Sequence, residues 1–91
     1  MMPVTVEIPS PMRDLTDGQT RVSVEGATVA AVLADLVARF PALRAKLYDG
    51  DKLRHYINVL VNDEDVRYLD DLDTVVNDGA VVALIPAVAG G

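Results

Sequence analysis

The 91-residue chain predicts an α+β domain: a mixed sheet with one main helix across one face, in the order β-β-α-β-β-β. Three observations carry this. Two early segments alternate apolar and polar residues with a period of two. A stretch after them switches to helical spacing. Two later runs, Tyr56 to Val61 and Ala80 to Ile85, are apolar enough for buried strands and are bounded by turn-forming residues.

The first alternation places Val4, Val6 and Ile8 on one face and Thr5 and Glu7 on the other. Ser10 to Gly18 holds Pro11, Asp14, Asp17 and Gly18 and reads as a loop ending in an Asp-Gly turn. Gln19 to Val24 alternates again, with Val22 and Val24 inward and Arg21, Ser23 and Glu25 outward. The two strands fit a hairpin with a long loop. Thr28 then suits a helix N-cap, because its hydroxyl can accept a free backbone N–H of the first turn. Val29, Val32, Leu33, Leu36, Val37 and Phe40 follow at helical spacing. Full burial of that face is worth at most ~9–18 kcal/mol before conformational entropy is subtracted. Asp35 and Arg39 form an outward i,i+4 pair. Pro41 disfavours helical geometry at Phe40 and ends the helix there.

Leu43 and Leu47 predict a further short helical piece, and Tyr48-Asp49-Gly50-Asp51 a loop. In Tyr56-Ile57-Asn58-Val59-Leu60-Val61, the residues Ile57, Val59 and Val61 share a face. Asn62-Asp63-Glu64-Asp65 reads as a turn and Val66-Arg67-Tyr68 as a short returning strand. Leu69 to Val76 reads as a loop with a helical turn, with Leu72 and Val75 dipping into the core. Asn77-Asp78-Gly79 turns the chain into the last strand, which is predicted to lie at the centre of the sheet with both faces buried. It can pair in parallel with the first. Pro86 cannot donate a ladder hydrogen bond, so pairing should fade there. The expected organisation is one domain over residues 1–86 and a flexible tail over residues 87–91.

Composition narrows the function. There is no Cys, which excludes disulfides, thiolate metal sites and a thioester-forming or catalytic thiol on this chain. The 14 acidic residues outweigh 8 Lys and Arg, for a net charge of −6. That balance argues against nucleic acid, whose phosphates are neutralised by Lys and Arg. It suits a partner with a basic docking surface, and equally suits simple solubility. The start, Met1-Met2-Pro3-Val4, lacks a basic region followed by an apolar run, and no apolar stretch reaches the ~20 residues that span a bilayer. The expected location is cytoplasmic, with no membrane partner.

The end of the sequence carries the strongest functional signal. Pro86-Ala87-Val88-Ala89 is followed by Gly90-Gly91. Neither glycine has a Cβ, so such a tail can lie in a slot too narrow for other residues. A terminal carboxylate is a poor electrophile until activated, for example as an acyl-adenylate. The tail therefore points to a protein that is handled by enzymes and is not one itself. A Gly-rich terminus without function is the plain alternative.

Order and ending together resemble the ubiquitin-like (β-grasp) sulfur carriers, the MoaD/ThiS family, over essentially the whole chain. The segment Leu84-Ile85-Pro86-Ala87-Val88-Ala89-Gly90-Gly91 is similar to the family ending. Within the family, the stretch Lys52-Leu53-Arg54-His55-Tyr56-Ile57-Asn58-Val59, continued by Val61-Asn62-Asp63-Glu64-Asp65-Val66-Arg67, most resembles the CysO-type carriers of cysteine biosynthesis. The resemblance implies a mixed five-stranded sheet. It also implies that an E1-like enzyme adenylates the Gly91 carboxylate with ATP and that a sulfur donor displaces AMP to leave a thiocarboxylate. In the CysO type that sulfur attacks an aminoacrylate held on pyridoxal phosphate by a cysteine synthase that uses O-phosphoserine. A JAMM-type metalloprotease then releases cysteine and the carrier. ATP, pyridoxal phosphate and zinc are thereby expected on partners, with no cofactor bound to this chain. Gly91 is the expected site of chemistry, and Pro86, Ala87, Val88, Ala89 and Gly90 form the segment that enters partner active sites.

Other candidates are weaker. Asp63-Glu64-Asp65 and Asp70-Asp71 with Asp73 supply carboxylates, but one turn offers few convergent metal ligands, and solvated turns are the simpler reading. His55 is the single His and no Cys accompanies it, so neither a nucleophilic triad nor a His-based metal site is expected. Tyr48, Tyr56 and Tyr68, with Val59 or Ile85, could form an apolar docking patch. Arg67 could pair with a partner or sit at a solvated strand end. The docking residues proposed from sequence are Ile85, Tyr68 and Arg67. Competing functions are a protein modifier joined through Gly91 to lysines, the small subunit of molybdopterin synthase, and a plain binding module.

Overall fold

The computed structural model describes residues 3–87. Five strands form the main sheet: β1 (Val4–Glu7), β2 (Arg21–Val24), β5 (Ile57–Val61), β6 (Glu64–Asp65) and β7 (Val81–Pro86), in the spatial order β2-β1-β7-β5-β6. Between β2 and β5 lie helix α1 (Val29–Arg39), a 3-10 turn at Pro41–Leu43, helix α2 (Arg44–Leu47) and a small hairpin of β3 (Tyr48–Asp49) and β4 (Lys52–Leu53). The first and last strands run parallel side by side, with Thr5 opposite Val81 and Glu7 opposite Ala83. β7 is thus central, as its composition predicts. Its burial is one-sided, however. Val82 and Leu84 are buried, Val81 and Ala83 are half-buried, and Ile85 is exposed, because α1 covers one face of the sheet only.

The period-two alternation decides which side chains face the helix. Val4, Val6, Ile8, Val22, Val24, Ile57, Val59, Val61, Val82 and Leu84 are all buried, and with α1 they form one continuous core. On α1 the buried set is Val29, Val32, Leu33 and Leu36, while Val37 and Phe40 pack at its margin. Four buried side chains contribute at most about 6–12 kcal/mol, less than the six-residue face would. The Thr28 hydroxyl accepts the Ala31 N–H at 3.2 Å, which caps the helix as expected. Asp35 bonds Arg39 at 3.1 Å, and it also accepts the Glu25 N–H at 2.9 Å, so one carboxylate ties the end of β2 to α1.

Several local expectations are corrected. Ser10–Thr16 is a 3-10 helix, started by the fixed φ of Pro11 and closed by Asp17 in the left-handed region. The segment read as a loop at residues 48–51 begins the β3-β4 hairpin. Val66-Arg67-Tyr68 is a 3-10 turn and not a strand; the returning strand is Glu64–Asp65, and the Asp65 carboxylate caps the turn by accepting the Arg67 N–H. Asn62 and Asp63 both have positive φ, as a two-residue hairpin requires. Leu72 packs against the core as expected. Val75 does not: it is 65% exposed, and its neighbours Thr74 and Val76 are buried instead. Thr28 bridges to Val75, with Val29 N–H bonded to Thr74 and Val76 N–H bonded to Ala27, and this fixes the parity of the segment. Pairing does not fade at Pro86, which sits opposite Ile57, and the next amide, Ala87 N–H, donates to the Tyr56 carbonyl at 2.6 Å.

Candidate functional site

The site is built around the end of β7. Because β7 is central, it is held on both sides up to Ala83 and on the β5 side to Ala87. The chain is therefore delivered from a central strand to a fixed point at one end of the sheet. Of the tail predicted from sequence, Pro86 is half-buried and Ala87 exposed at that point. Val88, Ala89, Gly90 and Gly91 lie outside the described residues.

Register places a defined surface beside this exit. On the sheet face opposite the helix, one row reads Arg21, Glu7, Ala83, Leu60, Asp65 across five strands. Each end of the row is an ion pair: Arg21 with Glu7 at 3.2 Å, and Arg67 with Asp65 at 2.9 Å. Half-buried Ala83 and Leu60 lie between them, and Ile85, 45% exposed and opposite Asn58, extends the apolar strip toward the exit. The Arg67 guanidinium, with its main-chain N–H, holds the Asp65 carboxyl below the usual carboxylate range. Exposed ion pairs of this kind add little stability, but they fix charge positions at a surface.

Of the docking residues predicted from sequence, Ile85 and Arg67 are thus brought to one face. Arg67 is engaged by Asp65 of its own chain. Tyr68 follows it in the 3-10 turn and is 87% exposed. Val59, offered as part of the same patch, is 1% exposed and belongs to the core, because odd positions of β5 face the helix. Tyr56 is exposed, with the His55 ring edge-on to it at 5.7 Å. Tyr48 lies elsewhere, half-buried under the Arg44 guanidinium, and burial raises its hydroxyl pKa. The sequence reading missed Leu60 and Ala83. The even positions of β5 and odd positions of β7, opposite in parity to the core residues, were the signal that could have found them. Among the described residues no group of three or more His, Cys, Asp or Glu could hold a metal ion, and no helix is long and apolar enough to cross a membrane.

Comparison with known proteins places these features in a family. A model of the ThiS family matches residues 6–91. The sulfur carrier protein CysO of Mycobacterium tuberculosis is 45% identical over 99% of this chain and 100% of its own. A chain in the crystal structure of the Amycolatopsis orientalis BexX/CysO complex is 44% identical and superimposes with a TM-score of 0.89 over 97% of this chain and 99% of that one. The small archaeal modifier protein 3 of Haloferax volcanii is 37% identical over 74% of this chain and 73% of its own. The likeness bears out the ubiquitin-like β-grasp fold and the similarity to CysO carriers expected from sequence. With the family model matched from the second residue pair of β1 to the final glycine, the chain is a member of the ThiS family.

Proposed function

We propose that this chain is a sulfur carrier and a co-substrate of other enzymes, not an enzyme itself. In this reading an E1-like enzyme joins the Gly91 carboxylate to AMP from ATP and releases pyrophosphate. A sulfur donor then attacks the carbonyl carbon and AMP leaves, which makes a thiocarboxylate. Sulfur is softer and more weakly solvated than oxygen, so the product is the better nucleophile. It serves the synthesis of cysteine or a related thio-metabolite in the cytoplasm. An O-phosphoserine-type cysteine synthase or another sulfur-acceptor enzyme takes the sulfur, and a JAMM-type metalloprotease frees the carrier. The pyridoxal phosphate and zinc sit on those partners.

One observation carries the reading: 45% identity to a protein named as a sulfur carrier, over all of that protein's length. The geometry supports it. Chemistry at a main-chain terminus needs a tail on a rigid stem, and β7, bonded through Ala87, is such a stem. The open face with Ile85, Leu60 and Ala83 beside the exit is where a partner that takes the tail would rest. The test is an intact mass spectrum after incubation with an E1-like enzyme, ATP and sulfide, with fragmentation of the C-terminal peptide. Exchange of one oxygen for sulfur on the fragment ending at Gly91 is expected. No exchange, with an enzyme active on a known carrier, would sink the proposal.

A second reading has its own support. Similarity to a small archaeal modifier protein favours conjugation of Gly91 to lysines. Slower-migrating species in a denaturing gel that depend on Gly91 and survive thiol reductant would establish it.

A further inference from the structure

Beside the tail's exit, on the side away from β5, the sheet opens into a cleft of about 460 Å³ between the ends of β1 and β7. Backbone alternation explains the opening. The Val81 carbonyl accepts from the Asn62 N–H and the Ala87 N–H donates to the Tyr56 carbonyl, at the two ends of β5, so the even residues of β7 face β1, as the bond from Thr5 N–H to the Ala80 carbonyl shows. On β1 the Ile8 N–H turns to Thr20, so odd residues face β7. The next rung after Glu7 would join Pro9 to Leu84 and Pro86. Pro9 has no N–H to give Leu84, Pro86 has none to give Pro9, and the Pro9 carbonyl is taken by Met12 N–H at 2.9 Å. The two prolines unzip the seam. They leave the Leu84 carbonyl on the cleft wall without a backbone donor from β1.

A positive charge lines the same cleft. Arg13 is held by its Nε–H, which donates to the Ile8 carbonyl at 3.1 Å, and by a bond to the Ser10 hydroxyl at 3.3 Å. It is half-buried and makes no ion pair among the described residues. The cleft's other guanidinium, Arg21, is matched by Glu7. On a chain of net charge −6, an anchored arginine without a carboxylate, beside an open main-chain acceptor, matches one kind of occupant. That occupant is an extended segment with a carboxylate two or so residues from an available N–H.

We propose that the Arg13 cleft is a recognition site for an extended acidic segment of a partner protein. The segment's N–H bonds the Leu84 carbonyl, continuing the sheet past the prolines, and its Asp or Glu pairs with Arg13. That its owner is the enzyme receiving the tail rests on the carrier reading; the chemistry of the cleft does not.

The test is a nitrogen-proton NMR titration of the whole chain at low ionic strength, where screening is weak. The probes are a capped peptide Val-Glu-Val-Glu-Val and its counterpart with Gln for both Glu. Saturable shifts are expected at the Ile85 and Ala87 amides and at Arg13 Nε, with the Glu peptide bound about five-fold tighter. Arg13→Gln removes the preference, and Arg13→Lys, which keeps the charge and loses the fork, retains part of it. Equal affinity for the two peptides, or no saturable shift at these positions, overturns the cleft. Mass spectrometry of Gly91 is read separately. A thiocarboxylated chain that cannot tell the peptides apart overturns the cleft and leaves the carrier standing. A chain that discriminates, yet is refused by active E1-like enzymes, does the reverse.

Discussion

A methyl group at Gly26 would meet the Val32 nitrogen at 2.6 Å and the Ala31 carbonyl carbon at 2.8 Å, both of them backbone atoms of α1. The glycine lets β2 hand over to the helix at close range. Gly26→Ala should cost roughly 1–3 kcal/mol, the range for overpacking, in urea denaturation. Asp35 secures the same junction. Its carboxyl lies below its ordinary value of 3.8, chiefly through the Glu25 N–H and then through Arg39. A depressed carboxyl stabilises the fold above its unfolded pKa, and the contribution is lost as pH falls through the lower, folded value. Asp35→Ala should therefore cost about 1 kcal/mol at neutral pH, and the deficit should shrink as acid protonates the wild-type carboxyl. A constant deficit at every pH would contradict this assignment. The sequence shows the Asp35–Arg39 spacing, but not the Glu25 bond, because the approach of β2 to α1 is tertiary. By the same logic, Arg13 carries no mark in the sequence, since its meaning depends on where Pro9 and Pro86 meet.

At the scale of elements, alternation and helical period were enough to find β1, β2, β5, β7 and α1, since one buried face imposes each pattern, while the short strand β6 was placed at Val66–Tyr68, just past its true position. They failed where the local backbone chemistry outweighs burial. Asp65 caps Val66–Tyr68 into a 3-10 turn although Val, Arg and Tyr suit a strand. Val75 and Val76 are the same residue type, and only the bonds to Ala27 and Val29 decide which is buried. Two changes probe the elements. Leu36→Ala, in the face of α1 that is fully buried, should lose about 2–5 kcal/mol, depending on how far the core relaxes. Asp63→Gly should gain roughly 1 kcal/mol, because Asp63 has φ +71 in the β5-β6 hairpin and glycine adopts that geometry without steric cost. A loss of stability there would mean that the Asp63 side chain has a role its exposure hides.

Across the whole molecule, stability and proposed function separate along the chain. Among the described residues the last sheet hydrogen bond is made by Ala87, and deletion of Gly90-Gly91 should alter stability by less than about 0.5 kcal/mol and abolish thiocarboxylation. Ile85→Asp on the open face should be similarly mild for stability, while raising the KM of an E1-like enzyme for the carrier about tenfold, as loss of an interface anchor does. An unchanged KM would move the docking surface elsewhere. The fold and family were legible in the sequence because the ending and the strand order are one-dimensional signals. The row of Leu60 and Ala83 between two ion pairs was not, because it joins residues from five strands and exists only once the register is set.

The parallel pairing of β1 with β7 has a consequence for biosynthesis. The strand made last fills the middle of the sheet, so β1-β2 and β5-β6 have no common neighbour until Val81–Pro86 has left the ribosome. Until then β1 and β5 each keep an edge of unpaired N–H and C=O groups of the kind that recruits other chains. Closure is a late, long-range event. A product broken off before β7 lacks the strand that joins β1 to β5 and is left open to proteolysis.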